Sequence, residues 1–160
     1  MVGFRRLTPD DDLDQLIALS RDFFEEYSVH HEAFFRVDRL TARSIRDYFS
    51  RSIATDKGAT FIATVQGKVV GYITVFLYTR EDFWTIKIVG SISGLMVSRT
   101  YRRRGIATAL LAEALAFFRA RGIRYVTTYT AVDNTAARAF FQHNGMEPLQ
   151  ITFIGEVPPD

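Results

Sequence analysis

No cysteine occurs anywhere in the 160 residues, which excludes a disulfide framework, a Cys-based zinc site and a covalent thiol nucleophile together. Excess charge of one sign is nearly absent too. Twenty Lys and Arg stand against 18 Asp and Glu, leaving a formal charge of +2, and such a balance does not indicate a broad nucleic-acid surface. No uninterrupted apolar stretch approaches the roughly 20 residues that cross a bilayer. Arg5 and Arg6 near the start are followed by no apolar segment of the secretory kind. These absences predict a cytoplasmic protein with neither a membrane nor a nucleic acid as its partner. No repeat, low-complexity tract or linker interrupts the chain, so one domain is expected over residues 1–156, with a frayed tail at 157–160.

What is present is a core-forming composition, 48% hydrophobic and 14% aromatic, enough for a domain of this length to fold without staples. Val2–Leu7 reads as a first strand. Thr8-Pro9-Asp10 reads as a helix start, with Thr8 as N-cap and Pro9 in the first turn, and Leu13, Leu16, Ile17, Leu19, Phe23 and Phe24 continue an apolar face. A second helix is expected from Leu40 to Ala54, with Ile45, Tyr48, Phe49 and Ile53 on one side. The period then changes. Thr60–Val65 and Val69–Tyr78, joined by Gln66-Gly67-Lys68, read as a hairpin. A third run from Trp84 to Val97 carries Gly90 and Gly94, which suggest a bulge or a close backbone approach. A helix through Leu110, Leu111, Leu115 and Phe118 closes near Gly122, and a strand over Arg124–Thr130 follows. A short helix at Thr135–His143 stops at Asn144-Gly145, and a last strand is expected over Met146–Gly155. The expected fold is thus an α/β sandwich of order β-α-α-β-β-β-α-β-α-β, with a mixed, mostly antiparallel sheet flanked by helices.

The most informative segment runs from Leu95 to Ala107. A strand ends near Val97, a basic loop with Arg99, Arg102, Arg103, Arg104 and Gly105 follows, and a helix begins at once. A helix N-terminus offers unpaired N–H groups and about half a positive charge, a natural seat for a pyrophosphate. Gly105 lets backbone approach the anion without a Cβ in the way, and the arginines add charge-assisted donors. No Gly-Lys-Ser/Thr follows, which argues against a nucleoside-triphosphatase loop.

At these residues the chain resembles the GNAT superfamily of N-acyltransferases. Arg102-x-x-Gly105-x-Ala107 is similar to that family's Gln/Arg-x-x-Gly-x-Gly/Ala motif. Asn134-Thr-Ala-Ala137-Arg-Ala-Phe140-Phe141-Gln-His-Asn-Gly145-Met146 is similar to its helix close to the acyl-CoA. The opening Phe4–Asp10 segment and the Phe61–Tyr72 hairpin also fit, so the likeness covers nearly the whole chain in order. It implies an acetyl-CoA-dependent N-acetyltransferase in which the amine attacks the thioester directly. By this resemblance Leu95, Met96 and Val97 run beside the pantetheine arm, and the Val97 backbone N–H polarises the thioester carbonyl as an oxyanion hole. Arg102, Arg103, Arg104, Gly105, Ile106, Ala107 and Thr108 hold the phosphates, and Asn134 and Phe141 complete the cofactor set. Acetyl-CoA is the co-substrate, no metal is implied, and a homodimer through the last strand is compatible with the family.

An alkylamine of pKa near 10.4 is only about one part in a few thousand neutral at pH 7, so the reaction must remove a proton. The family's usual general-acid tyrosine falls here on Phe141, and the glutamate base of its histone-modifying members falls on Ser91. Tyr129, at the end of its strand, and Glu81 with Asp82, in the loop before the third strand, are the replacement candidates. His30-His31-Glu32 lacks a further ligand at metal spacing, and adjacent side chains on a helix do not face each other. Tyr27, Phe34 and Phe35 belong to an aromatic group expected mainly in the core, with a part in lining the acceptor side. Two rival readings are a catalytically silent acyl-CoA-binding module and nucleic-acid binding through Arg99–Arg104.

Overall fold

The computed structural model describes residues 1–160 as two compact units, residues 1–129 and residues 130–160. The first holds a sheet of five strands in the order β1-β2-β3-β4-β5, with β1 Val2–Arg6, β2 Gly58–Val65, β3 Lys68–Thr79, β4 Ile88–Val97 and β5 Val126–Thr128. β1 to β4 are antiparallel neighbours, and β5 joins β4 in parallel. Three helices complete this unit: α1 Ile17–Ser28, α2 Ala42–Ile53 and α3 Ile106–Ala120.

The alternation of the strands sorts their side chains between two helical layers. Leu16, Ile45, Phe49, Ile62, Tyr72 and Met96 form a cluster with α1 and α2 on one face. α3 lies on the other, burying Ile106, Leu110, Leu111, Phe117 and Phe118. Gly90 lets α3 approach, for a Cβ there would stand 2.6 Å from the Phe118 ring, whereas one at Gly71 would first meet the Met96 carbonyl of the neighbouring strand at 3.0 Å. α2 is further tied to the sheet by a buried hydroxyl ladder. Ser52 Oγ donates to the Phe49 carbonyl at 2.7 Å and meets Thr60 Oγ1 at 2.8 Å, which meets Thr74 Oγ1 at 2.8 Å.

Three expectations need correction. The first helix does not begin at Thr8. The Thr8 N–H and hydroxyl both donate to Asp11 Oδ2, at 2.7 and 3.1 Å, and Arg5 holds the same carboxylate. The Thr8 hydroxyl is therefore a donor in a turn rather than a cap, and Asp12 caps a short 3-10 turn at Leu13–Leu16 that leads into α1. The third strand begins at Ile88 rather than Trp84, because Arg80 N–H donates to the Lys87 carbonyl and closes residues 81–86 into a loop. α2 begins at Ala42, two residues after the Leu40 start expected, with Thr41 Oγ1 accepting the Ser44 N–H at 3.0 Å, a cap that contributes about 1 kcal/mol.

In the second unit, Asn134 Oδ1 accepts the Ala137 N–H and opens α4, Thr135–His143. α4 closes with the Gly145 N–H on the Gln142 carbonyl and the Met146 N–H on the Phe141 carbonyl. The strand expected over Met146–Gly155 is not formed, for no ladder includes these residues. Pro148 lacks an N–H to give, and Leu149, Ile151 and Phe153 are exposed, Phe153 by 90%. Their alternation is strand-like, but alternation does not supply a partner.

Candidate functional site

β4 changes character halfway along. The register pairs Thr74 with Gly94 and Val75 with Ile92, leaving Ser93 as the extra residue of a bulge. Before the bulge, the Gly90 N–H donates to the Tyr125 carbonyl at 3.0 Å, so the even-numbered residues face β5. That parallel ladder covers only Gly90–Ile92 against Val126–Thr128. After the bulge, the Ser98 N–H donates to the Val70 carbonyl at 2.8 Å, and Gly71 lies opposite Val97. Bonded and non-bonded pairs alternate along an antiparallel ladder. The bonded pairs are therefore Ser98 with Val70 and Met96 with Tyr72, and the backbone groups of Leu95 and Val97 point away from β3. One inserted residue thus turns the N–H groups of Leu95 and Val97 toward the side where β5 has already ended. Of the residues expected beside a pantetheine arm, Leu95 and Val97 offer outward backbone, and Met96 is spent on the ladder.

The loop after β4 is shaped by two left-handed residues, Arg103 at φ 62° and Gly105 at φ 77°. Space around Gly105 is open, with no heavy atom within 4 Å of where a Cβ would stand. α3 begins directly after it without a side-chain cap. The first intrahelical bond there runs from the Ala109 N–H to the Gly105 carbonyl at 3.0 Å, so the N–H groups of Ile106, Ala107 and Thr108 have no partner within the helix. This concave run of donors at a helix N-terminus fits an anion.

Not all the arginines face that seat. Arg102 Nε donates to the Val97 carbonyl at 2.9 Å, and its Nη2 reaches both Glu26 oxygens at 2.9 Å. Arg99 Nε reaches Glu26 Oε1 at 2.7 Å. Burial works against ionising Glu26, but the hydrogen bonds from Arg99 and Arg102 outweigh it and hold its carboxyl below the usual range. Arg102 therefore braces the strand end and α1, while Arg103 is exposed and Arg104 lies over the Tyr101 ring at 5.2 Å. Glu26 was missed by sequence reasoning, since nothing local marks a carboxylate that answers arginines so far along the chain.

On the α1/α2 face of the bulge, the Tyr48 hydroxyl meets Ser93 Oγ at 2.6 Å. Burial first, and Tyr129 in a smaller measure, raise the Tyr48 phenol above its ordinary range, against the lowering effect of its hydrogen bonds and Arg51. Tyr129 follows β5 directly and is 73% exposed. Glu81 and Asp82 lie in the β3–β4 loop, where the Glu81 carbonyl accepts the Trp84 N–H. His31 Nδ1 accepts the N–H groups of Ala33 and Phe34, and His30 stands edge-on to Tyr27. Phe35 packs edge-on against both Tyr27 and Phe34, and Phe34 is exposed rather than in the core. In the second unit Asn134 is committed to its cap, and Phe141 packs against Phe140. A surface groove of about 320 Å³ is lined by Arg21, Phe24, Glu25, Ser28, Arg36, Val37 and Leu40 and shares no residue with β4 or its loop. No helix is long and apolar enough to cross a membrane.

Comparison with known proteins bears on this geometry. The acetyltransferase (GNAT) family model matches residues 13–146. An uncharacterised N-acetyltransferase of Methanocaldococcus jannaschii is 29% identical over 145 residues, covering 88% of this chain and 59% of that protein. This chain thus spans about three fifths of that relative's length. Another uncharacterised N-acetyltransferase, from Archaeoglobus fulgidus, is 27% identical over 137 residues, 85% of this chain and 87% of its own. Among solved structures, the aminoglycoside acetyltransferase AAC(6')-Iy in complex with the bisubstrate analogue CoA-S-monomethyl-acetylneamine superposes with a TM-score of 0.78 at 17% identity. That match covers 99% of both chains and bears on the fold alone.

Proposed function

The chain belongs to the acetyltransferase (GNAT) family, and from that premise we propose that it moves an acetyl group from acetyl-CoA to a primary amine, borne by a small molecule, peptide or protein. The observation that carries this reading is the continuity of two devices on one strand–loop–helix segment: an outward-facing β4 edge and an anion seat. Acetyl-CoA supplies the activated thioester. The N–H groups from Arg103 to Thr108 hold its pyrophosphate, and the outward groups of Leu95 with the Val97 N–H bind the extended arm, as an added strand is bound at a sheet edge. Either N–H can donate to the thioester carbonyl, where a single such donor is worth about 10²–10³ in rate. Leu95 thus joins Val97 as an oxyanion candidate.

A proton must leave the amine, and general-base help is worth about 10²–10⁴ in rate. Of the two replacement candidates we favour Tyr129, which follows β5 at the end of the β4–β5 ladder. Glu81 stands in the loop at the opposite end of β4 from Val97. Aminoglycosides enter the acceptor panel because the AAC(6')-Iy complex carries an acetylneamine analogue.

The test is release of free thiol from acetyl-CoA with alkylamines, peptides and aminoglycosides. Release that depends on an amine is expected. Acetyl-CoA binding with no amine-dependent release would replace this reading with that of a silent acyl-CoA-binding module.

A further inference from the structure

The Tyr48–Ser93 contact joins residues 45 positions apart, at the one residue of β4 that the ladder does not pair. Either hydroxyl can donate this 2.6 Å bond. The Ser93 hydroxyl also lies 3.3 Å from the Thr74 carbonyl, which only accepts, and when Ser93 turns its proton there the Tyr48 phenol is the donor. In that arrangement Ser93 Oγ accepts from the phenol with one of its two lone pairs and keeps the other for an outside donor. Ser93 precedes Leu95 by two residues, about 7 Å along a strand.

The surroundings hold the phenol in place. Gly94 has no Cβ, and one built there would stand 3.2 Å from the Tyr48 hydroxyl. The ring packs edge-on against Phe49, with the Arg51 guanidinium 5.8 Å from its centre. One turn further on, Ser52 enters the buried ladder through Thr60 to Thr74. The same Thr74 supplies the carbonyl that orients Ser93. Two buried threonines in an otherwise apolar sheet are costly unless satisfied, and here they fix the register of α2 against the bulge.

Given the acetyl-transfer reading above, we propose that Ser93 Oγ receives an N–H of the acceptor amine, and that Tyr48 is the positioning residue that keeps this oxygen an acceptor. A primary amine held through one N–H beside the β4 edge can turn its lone pair toward an acyl group lying along Leu95 and Val97. The interaction selects acceptors with an N–H to give, and it places no demand on CoA.

Calorimetric titration separates these demands. CoA is titrated first, then n-hexylamine, neamine or a lysine-containing peptide is titrated into the CoA complex. Loss of one hydrogen bond to a charged or polar amine predicts that Ser93→Ala weakens the amine about tenfold, with CoA affinity held within about twofold. Tyr48→Phe, which keeps the ring packing, weakens the amine by a smaller factor, and Ser93→Thr, which keeps the hydroxyl, stays closer to the parent than Ser93→Ala. Thermal melts establish that each variant is folded. Equal amine affinity in Ser93→Ala and parent overturns the proposal, as does a CoA complex that binds none of the three amines. Equal loss of CoA and amine would mean a merely structural bulge and also overturns it. A parent chain that binds no CoA instead overturns the acetyl-transfer reading on which the proposal rests.

Discussion

The two halves of the candidate site use different materials. The proposed CoA half is made of backbone: an anion seat of left-handed Arg103 and Gly105 with the first N–H groups of α3, and a β4 edge with the outward N–H groups of Leu95 and Val97. The proposed acceptor side is made of side chains from separate elements, with Tyr48 of α2 meeting Ser93 of β4. Backbone donors need only a local conformation, which a few adjacent residues dictate. Side-chain constellations need the whole fold to bring them together. The seat can therefore be common to a family while the acceptor side is particular to one chain, and substitutions in the two halves should fail differently.

The largest effect is expected at Gly105. Gly105→Asp puts a side chain on a left-handed backbone, at roughly 1–2 kcal/mol for a residue with a Cβ, and a like charge beside the phosphates. The CoA-induced rise in melting temperature, equivalent to about 2.7 kcal/mol at a hundredfold excess over Kd, should disappear. A variant stabilised by CoA as strongly as the parent would show that the seat does not depend on this backbone.

A smaller effect is expected at Gly90, on the half of β4 held by packing. Its missing Cβ is filled by the Phe118 ring, itself only 2% exposed. Gly90→Ala should cost about 1–3 kcal/mol by overpacking, read by denaturant unfolding, and should leave the loop and its anion affinity in place. A neutral substitution would mean that α3 can retreat from the sheet without penalty.

The smallest effect concerns Glu26, where a side chain braces the backbone half. Its carboxyl is held below the usual range by Arg99 and Arg102 against the opposing pull of burial. A lowered carboxyl stabilises the fold above its unfolded pKa and loses that contribution as pH falls through the folded value. Glu26→Gln should therefore be less stable than the parent at pH 7, by under about 1 kcal/mol for so accessible a pair. The gap should close as the pH drops below the ordinary glutamate value of about 4.3. A gap that persists undiminished at pH 3 would mean that the carbonyl and amide geometry, not the charge, matters there.

The same division explains what could be read from the sequence. The Gly105 loop, the start of α3 and the hairpin follow from neighbouring residues, and each stands where the pattern puts it. Gly90 and Gly94 announced an irregular β4, and the bulge lies between them at Ser93. Tyr48 was legible only as one more residue on the apolar face of α2, because its partner is 45 positions away. Arg102 matched a phosphate motif, yet its guanidinium is turned to Glu26, 76 positions back, which no local pattern encodes. Thr8-Pro9 gave a helix-start signal that the nearby Asp11 overrode, and Met146–Gly155 gave a strand signal that no ladder takes up.

Backbone amide spectra recorded during a CoA titration test the central claim most directly, because that claim is about N–H groups. The account predicts the largest shifts at the amides of Leu95, Val97, Arg103 and Gly105 to Thr108, with little change at Met96, whose backbone is engaged with β3. Shifts concentrated in the groove of Arg21, Arg36 and Leu40, or equally large at Met96 and Leu95, would contradict it.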